Sequence, residues 1–402
     1  MGTRVPAIAT DVVVEARLEE IEADPYPLYR RMRRETPIAW VPETERLWIT
    51  PYELCREAGD NDQAFGPTQD VFHLVYGDPN VMSLMGAEHR ESRAPLDVRF
   101  RPRAVTGYVD SILRETTVRH LEAIRERGAA DANTELLEPI ALRSIGDVMG
   151  FGDVDNETLS RWFNALGEYL VDRGGNQEIT ARGEEIKDEI RDYMAGRLEQ
   201  IRRREDETTL TMIFTHGMPA GEVRSIEEVI GNVGLMIVGG FQEPAHGTAN
   251  ALYGLLGRPE QAAAVAAEPA KLAMQAEQEG LRWIAPFNMT EKLTTEDVEL
   301  GGLLVPAGTE IALCLGSANR DETVFEDPDT YDLFRERTRA HVSFGYGEHL
   351  CVGHYVARQL GRVCIEEIFS RLPNLRLDPD REPVVHGWAV RGAKRLPVLW
   401  DA

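Results

Sequence analysis

Phe344-Gly345-Tyr346-Gly347-Glu348-His349-Leu350-Cys351-Val352-Gly353 decides the reading of this 402-residue chain. It sets one cysteine among glycine turns, directly ahead of an apolar-periodic run from Val352 to Leu372 that predicts a helix. A thiolate at a helix N-terminus is favoured by the dipole and by free backbone N–H groups. Gly347 and Gly353 let the backbone pass close to the sulfur, where amides can hydrogen-bond it and tune a bound metal. Phe344 is placed to screen it from water. The ordinary fate of a lone cysteine is to be buried and inert. A zinc site from His349, Cys351 and His354 is a second alternative, although no further ligand pair with metal spacing occurs elsewhere. Four fixed positions in ten residues favour a metal-binding sulfur.

Around this loop the composition is that of a globular protein, with 43% hydrophobic and 28% charged residues. Its 44 basic and 68 acidic side chains leave a formal charge of −24. That excess argues against nucleic acid, which needs a basic face, and against an anionic membrane surface. Cys55, Cys314, Cys351 and Cys364 lie far apart without a CxxC pair, so a reducing compartment is expected. The first twenty residues lack the apolar core of a signal peptide. Met1-Gly2 is not followed by the Ser or Thr of a myristoylation start. Val233 to Phe241 is too short to span a membrane. A cytoplasmic location is expected.

No repeat or linker divides the chain, so residues 1–402 are read as one domain, mainly α with small β-sheets. Pro27 to Arg34 predicts a helix, and Ile38–Val41 with Leu47–Ile49 a hairpin. Gly66 to Gly86, rich in breakers, predicts a long functional loop. Leu159, Trp162, Phe163, Leu166, Tyr169 and Leu170 fall on one helical stripe. Ser225-Ile-Glu-Glu predicts the start of a helix running to Leu256, and Lys271 to Trp283 another. Val298–Leu304 and Ile311–Leu313 predict strands, followed by an irregular segment from Ser317 to Arg335 and a tail of short strands.

The FxxGxxxCxG loop, with three elements in matching order, resembles the cytochrome P450 family over nearly the whole chain. The resemblance implies the cytochrome P450 fold and haem b (iron protoporphyrin IX) held by Cys351. Glu279-Gly280-Leu281-Arg282 matches the family's ExxR element, with Arg335 as its third partner. His89-x-x-x-Arg93, and His349 two residues before the cysteine, match positions that bind haem propionates. Lys292 stands where relatives often carry Arg; it offers a point charge without the planar fork. Phe344 and Gly353 complete the cofactor set.

Departures from the family are as informative. Where most members have (A/G)-G-x-(D/E)-T, an acid–alcohol pair that relays protons to dioxygen, this chain has Gly239-Gly240-Phe241-Gln242-Glu243-Pro244. Gln242 replaces the acid and Glu243 the alcohol, making these the expected catalytic pair. Glu243 could donate and accept protons, or move one between the oxygens of hydrogen peroxide. Pro244 is expected to kink the helix. The Gln-Glu-Pro version, with Ala245-His246-Gly247, the acid-rich N-terminal helix, Glu-Gly-Leu-Arg-Trp, Gly387-Trp388 and Arg391-Gly392, resembles bacterial members that O-demethylate methoxyphenols of the guaiacol and syringol type. By register the pocket comprises Tyr76, Leu170, Leu235, Gly239, Thr290 and Val390. Phenylalanine is usual in guaiacol-type relatives at Leu170 and Val390, so the smaller side chains predict room for syringol.

The resemblance further implies a ferredoxin or a flavin/iron–sulfur reductase as electron donor, with dioxygen or hydrogen peroxide as oxidant. Alternatives are hydroxylation of another small apolar substrate such as a terpenoid, and a non-catalytic haem sensor or electron carrier. Arg99, Arg101, Arg103, Arg358 and Arg362 are read as a local basic patch on the cysteine side, suited to an acidic partner.

Overall fold

The structure, a computed structural model, describes residues 12–68, 70–172, 174–203, 206–336 and 338–402. Met1 and Gly2 lie outside them. In chain order the helices are α1 (Leu18–Ala23), α2 (Tyr26–Glu35), α3 (Tyr52–Asp60), α4 (Asp70–Tyr76), α5 (Gly86–Phe100), α6 (Pro102–Tyr108), α7 (Glu115–Ile124) and α8 (Glu138–Met149). They continue as α9 (Asn156–Asp172), α10 (Gln177–Arg203), α11 (Thr209–Thr215), α12 (Ile230–Leu256), α13 (Pro259–Ala267), α14 (Pro269–Trp283), α15 (Leu315–Ala318) and α16 (His354–Arg371). The strands are β1 (Ile38–Val41), β2 (Arg46–Ile49), β3 (Phe65–Gly66), β4 (Ala129–Asp131), β5 (Thr290–Thr294), β6 (Val298–Leu300), β7 (Leu303–Val305), β8 (Glu310–Leu313), β9 (Arg376–Leu377), β10 (Val384–His386), β11 (Gly392–Arg395) and β12 (Pro397–Leu399).

Helix α12 is the axis of the molecule. It packs against α4, α8, α9, α14 and α16 and is buried on nearly every side, which is why its sequence is apolar throughout rather than amphipathic. The α9 stripe buries Leu159, Trp162, Leu166 and Tyr169 against the same core. At one side lies a sheet in the order β1-β2-β8-β5-β3, with β2 and β8 parallel and the other pairs antiparallel. Its register sets Trp48 beside Ala312 and Lys292 beside Ile311. The tail closes back on the N-terminus: Trp388 stacks on Trp48 at 5.1 Å, and Arg391 donates to the carbonyls of Glu22 and Ala23 at the end of α1.

Three expectations need correction. Within Gly66–Gly86 the breakers Gly66-Pro67 and Gly77-Asp78-Pro79-Asn80 flank a stretch that forms α4, which packs on α9 and α12. Ser225 does make a cap, its N–H donating to Glu228 Oε2 at 2.7 Å, but it closes a single turn, and the continuous helix begins at Ile230. Helix α12 carries Pro244 inside one continuous helical span. Val298–Leu304 divides into the β6–β7 hairpin, reversed at Gly301-Gly302, where φ is +57° and +79°. Strand β5 carried no alternating apolar signal because the residues it buries, Lys292 and Thr294, are polar.

One buried ion cluster joins the helices to the irregular segment. Glu279 receives Arg282 Nη2 on Oε1 at 2.7 Å and Nε on Oε2 at 2.9 Å, with Arg335 Nε on Oε1 at 3.1 Å. Arg282 also donates to the carbonyls of Asn319, Pro328 and Thr330. Truncating one member leaves buried charge unpaired, so Glu279→Ala is expected to destabilise the fold by about 3–5 kcal/mol. Urea unfolding measures this, and a loss below about 1 kcal/mol, the range of exposed pairs, contradicts a structural role.

Candidate functional site

Cys351 is set three residues before α16 and held in place by the backbone. Its N–H donates to the Phe344 carbonyl at 2.9 Å, and its own carbonyl accepts from His354 Nδ1 at 2.7 Å. That bond turns His354 toward the backbone. Gly347 has φ +61°, and a Cβ there would stand 2.6 Å from the Gly59 carbonyl, so the loop needs glycine at this crossing. A Cβ placed on Gly353 would lie 3.8 Å from the sulfur. Although walled by protein, Cys351 is exposed, and the surface it presents faces an internal cavity of about 330 Å³. Burial holds the thiol above its usual range; the Gly353 N–H, Arg93 and Arg358 oppose that rise, whereas Glu243 adds to it.

At one edge of this cavity the structure gathers His89 and Arg93 from α5, Lys292 from β5, and His349 from the cysteine loop. Lys292 Nζ donates to Asp62 Oδ1 at 2.9 Å and to the Gly59 carbonyl at 3.1 Å. Arg93 reaches Asp97 Oδ1 at 3.2 Å and the Glu348 carbonyl at 3.3 Å. The His89 and His349 rings lie 4.6 Å apart, and burial lowers the pKa of both, that of His349 to about 4. His89 is almost wholly buried, yet neither ring nitrogen has a hydrogen-bond partner among the described residues. Buried polar groups are rarely left so. An imidazole without a hydrogen bond, its Nδ1 3.6 Å from Glu348 Oε1, together with a guanidinium and an ammonium, fits a ligand carrying carboxylates, and a sulfur facing the same cavity fits a metal. The residues therefore fit a sulfur-ligated haem with its propionates at the His89 edge.

Across the cavity stands α12. Glu243 and Gly239 face it, and beside Gly239 there is open space. Glu243 Oε2 is buried without a partner, and burial pushes the carboxyl up to about 7 against the pull of its own N–H and Lys394. Tyr76, Leu170, Leu235 and Thr290 line the cavity, as do Phe344 and Gly353. Gln242 and Val390 do not: Gln242 is half-buried away from it, and Val390 pairs with Phe287 in an isolated bridge. Sequence reading missed Phe72, Val81, Ile145, Val238, Phe287 and Glu277 among the lining residues. Phe72 lies on the unforeseen α4. Glu277 had a signal, because it continues the apolar stripe of Ala273, Ala276 and Gly280 on α14.

The arginine patch is also reshaped. Arg99 lies over Tyr108 with Glu207 at 3.8 Å, Arg358 lies over Phe344, and Arg362 bonds Glu366 and Gln359. Arg101 and Arg103 remain exposed.

Glu243 keeps its proton to about pH 7 in the folded protein, whereas a free glutamate loses it near ~4.3. Its contribution to stability is therefore complete at acid pH and lost as pH rises through 7. Glu277, which burial pushes to about 8, adds a loss in the same direction. Glu243→Gln is expected to exceed wild type in stability above pH 7, by on the order of 2 kcal/mol, and to match it near pH 4. Urea unfolding at the two pH values reads the difference, and unchanged pH dependence in the variant contradicts a buried, proton-holding Glu243.

Comparison with known proteins agrees with this geometry. The cytochrome P450 family profile matches residues 40–384. Cytochrome P450 107B1 of Saccharopolyspora erythraea is 30% identical over 396 residues, covering 93% of this chain and 95% of its own. The monooxygenase PikC of Streptomyces venezuelae is 28% identical, covering 95% and 92%. Among solved structures, CalO2 superposes with a TM-score of 0.84 at 25% identity, covering 95% of this chain and 97% of its own. CYP109B1 of Bacillus subtilis gives 0.82 at 22%, covering 94% and 100%. No described helix is long and apolar enough to cross a membrane. A profile match over most of the chain, joined to a relative at 30% identity along nearly its full length, places this chain in the cytochrome P450 family, whose members are Cys-ligated haem monooxygenases.

Proposed function

We propose that this P450 monooxygenase O-demethylates small methoxyphenols, syringol ahead of guaiacol, releasing the demethylated phenol and formaldehyde. Cys351 would hold the haem, with His89, Arg93, Lys292 and His349 at its propionates and Phe344 and Gly353 around the sulfur. The bound haem supplies activation of dioxygen or hydrogen peroxide and transfer of one oxygen atom to a C–H bond. The observation that carries the reading is Glu243, a carboxyl with one unpaired oxygen in a cavity whose walls are otherwise mostly apolar. Such a group, with a pKa near the working pH, is suited to give and take protons.

The walls select the substrate. Leu170, Leu235, Val81 and Ile145 suit an aromatic ring, and Tyr76 is buried but for the side facing the cavity. Burial raises the pKa of the Tyr76 phenol, with the Glu243 carboxylate adding to the rise, so Tyr76 offers a neutral hydroxyl on the cavity wall. Oxygen inserted at the methoxy carbon gives a hemiacetal, which collapses to a phenol and formaldehyde without further oxidant. Gln242 is assigned a supporting part beside Glu243 on α12, and the room for a second methoxy group is assigned to Leu170, since Val390 stands off the cavity. Electrons come from a ferredoxin or a flavin/iron–sulfur reductase.

Turnover of syringol and guaiacol with hydrogen peroxide alone, assayed by formaldehyde, tests the assignment. Syringol is expected to be turned over faster and to give the larger spin-state shift; a clear guaiacol preference overturns the pocket argument. A spin-state shift with a terpenoid and none with either phenol favours the hydroxylase alternative. Glu243→Ala is expected to cut peroxide-driven turnover by about 10²-fold or more, the usual scale for a proton-transfer group, with little change in the substrate's spectral dissociation constant. Equal loss in both makes Glu243 structural.

A further inference from the structure

A second acid, Glu277 of α14, also lines the cavity, as do Val356 and Ala357 of α16. It is 1% exposed, and Oε2 has no hydrogen-bond partner among the described residues. Two glycines on two other helices make the space for it. A Cβ on Gly361 of α16 would lie 2.2 Å from Glu277 Cδ, and one on Gly247 of α12 would lie 3.4 Å from Oε1. Any larger residue at Gly361 would displace the carboxyl, so the three-helix contact is shaped around a group that an apolar core does not need.

The charge facing it is Arg358, on the same face of α16 one turn before Gly361. The Arg358 guanidinium lies 4.7 Å from the centre of the Phe344 ring, the ring that screens Cys351, and its Nε has no partner. Arg358 feels both the Cys351 sulfur and Glu277. The other titratable group near Glu277 is the buried Cys364 thiol of α16, which lies 3.7 Å from Thr117 Oγ1. Helix α12 presents Gly247, one turn after Glu243.

We propose that Glu277 is a proton-carrying counter-charge to Arg358 where α14 meets α16, so that, wherever the carboxyl is ionised in the oxidised protein, one-electron reduction of the bound haem draws one proton from solvent onto it. The electron is the one the redox partner delivers; the bond formed is the carboxyl O–H. With the proton on, the positive charge of Arg358 acts undiminished on the sulfur; with it off, the two charges cancel. This rests on haem binding by the family and not on the substrate proposed above.

The test is the reduction potential of the haem-loaded protein against pH, followed by its absorption spectrum. Wild type is expected to hold a constant potential on the acid side and to fall above about pH 8, by up to ~59 mV per pH unit, a tenfold change for one electron. Glu277→Gln, a neutral isostere, is expected to keep the acid-side potential and lose the fall. Reduced-minus-oxidised infrared spectra at high pH are expected to show a protonated carboxyl band in wild type that Glu277→Gln lacks. Should that variant fold poorly, Glu277→Asp must shift the onset of the fall. A flat wild-type profile, or the same fall in Glu277→Gln, overturns the proposal. Failure to load haem at all sinks the cofactor assignment instead.

Discussion

The Glu279 carboxylate, buried between Arg282 and Arg335, is the constraint on which the rest of the site depends. A buried charge has to be paired and hydrogen-bonded, and here the pairing reaches well beyond the three residues. The two guanidiniums collect carbonyls from Asn319, Asp327, Pro328 and Thr330, giving fixed shape to a segment without regular secondary structure. Asn319 then bonds Ser343 Oγ at 2.7 Å, and Ser343 donates to the Leu281 carbonyl one residue before Arg282. The chain enters the cysteine loop at Phe344 from that anchor, so the position of the sulfur is inherited from the ion cluster.

The cavity above this anchor divides its polar groups by side. Cations and imidazoles gather at the His89 edge, one acid stands on α12 and another on α14, and most of the remaining lining is apolar. Low polarity makes each of these groups count for more than it would in water. It also explains why two carboxyls hold protons toward neutrality in a chain whose net charge is −24. The surface acids serve solubility, and the buried ones are few and singly placed.

Much of the fold was legible because long periodic segments are local statements. The α9 stripe, the 27-residue α12, α14 and α16 all follow from the spacing of apolar residues, to within a few positions at their starts. Helix α4 was not, since seven residues between glycine and proline breakers are stabilised by packing on α9 and α12 rather than by their own pattern. The β6–β7 division turned on two glycines that a run of apolar residues conceals. Among site residues, the tight motif around Cys351 needed no structure to single out, whereas Phe72, Val81 and Glu277 carried no motif.

The sequence alone determined that one cysteine precedes a helix within a glycine-framed loop, that a Glu–Arg pair lies on one helix face, and that an unusual Gln-Glu-Pro interrupts the longest apolar run. Those are relations among near neighbours along the chain. Tertiary structure decided which of Gln242 and Glu243 faces the cavity, because successive residues on a helix point about 100° apart. It also removed Val390 from the cavity, bound three of five arginines into local contacts, and brought Glu277 of α14 to the cavity that Cys351 faces. Burial and pairing across such separations are properties of packing, and no spacing rule in the chain encodes them.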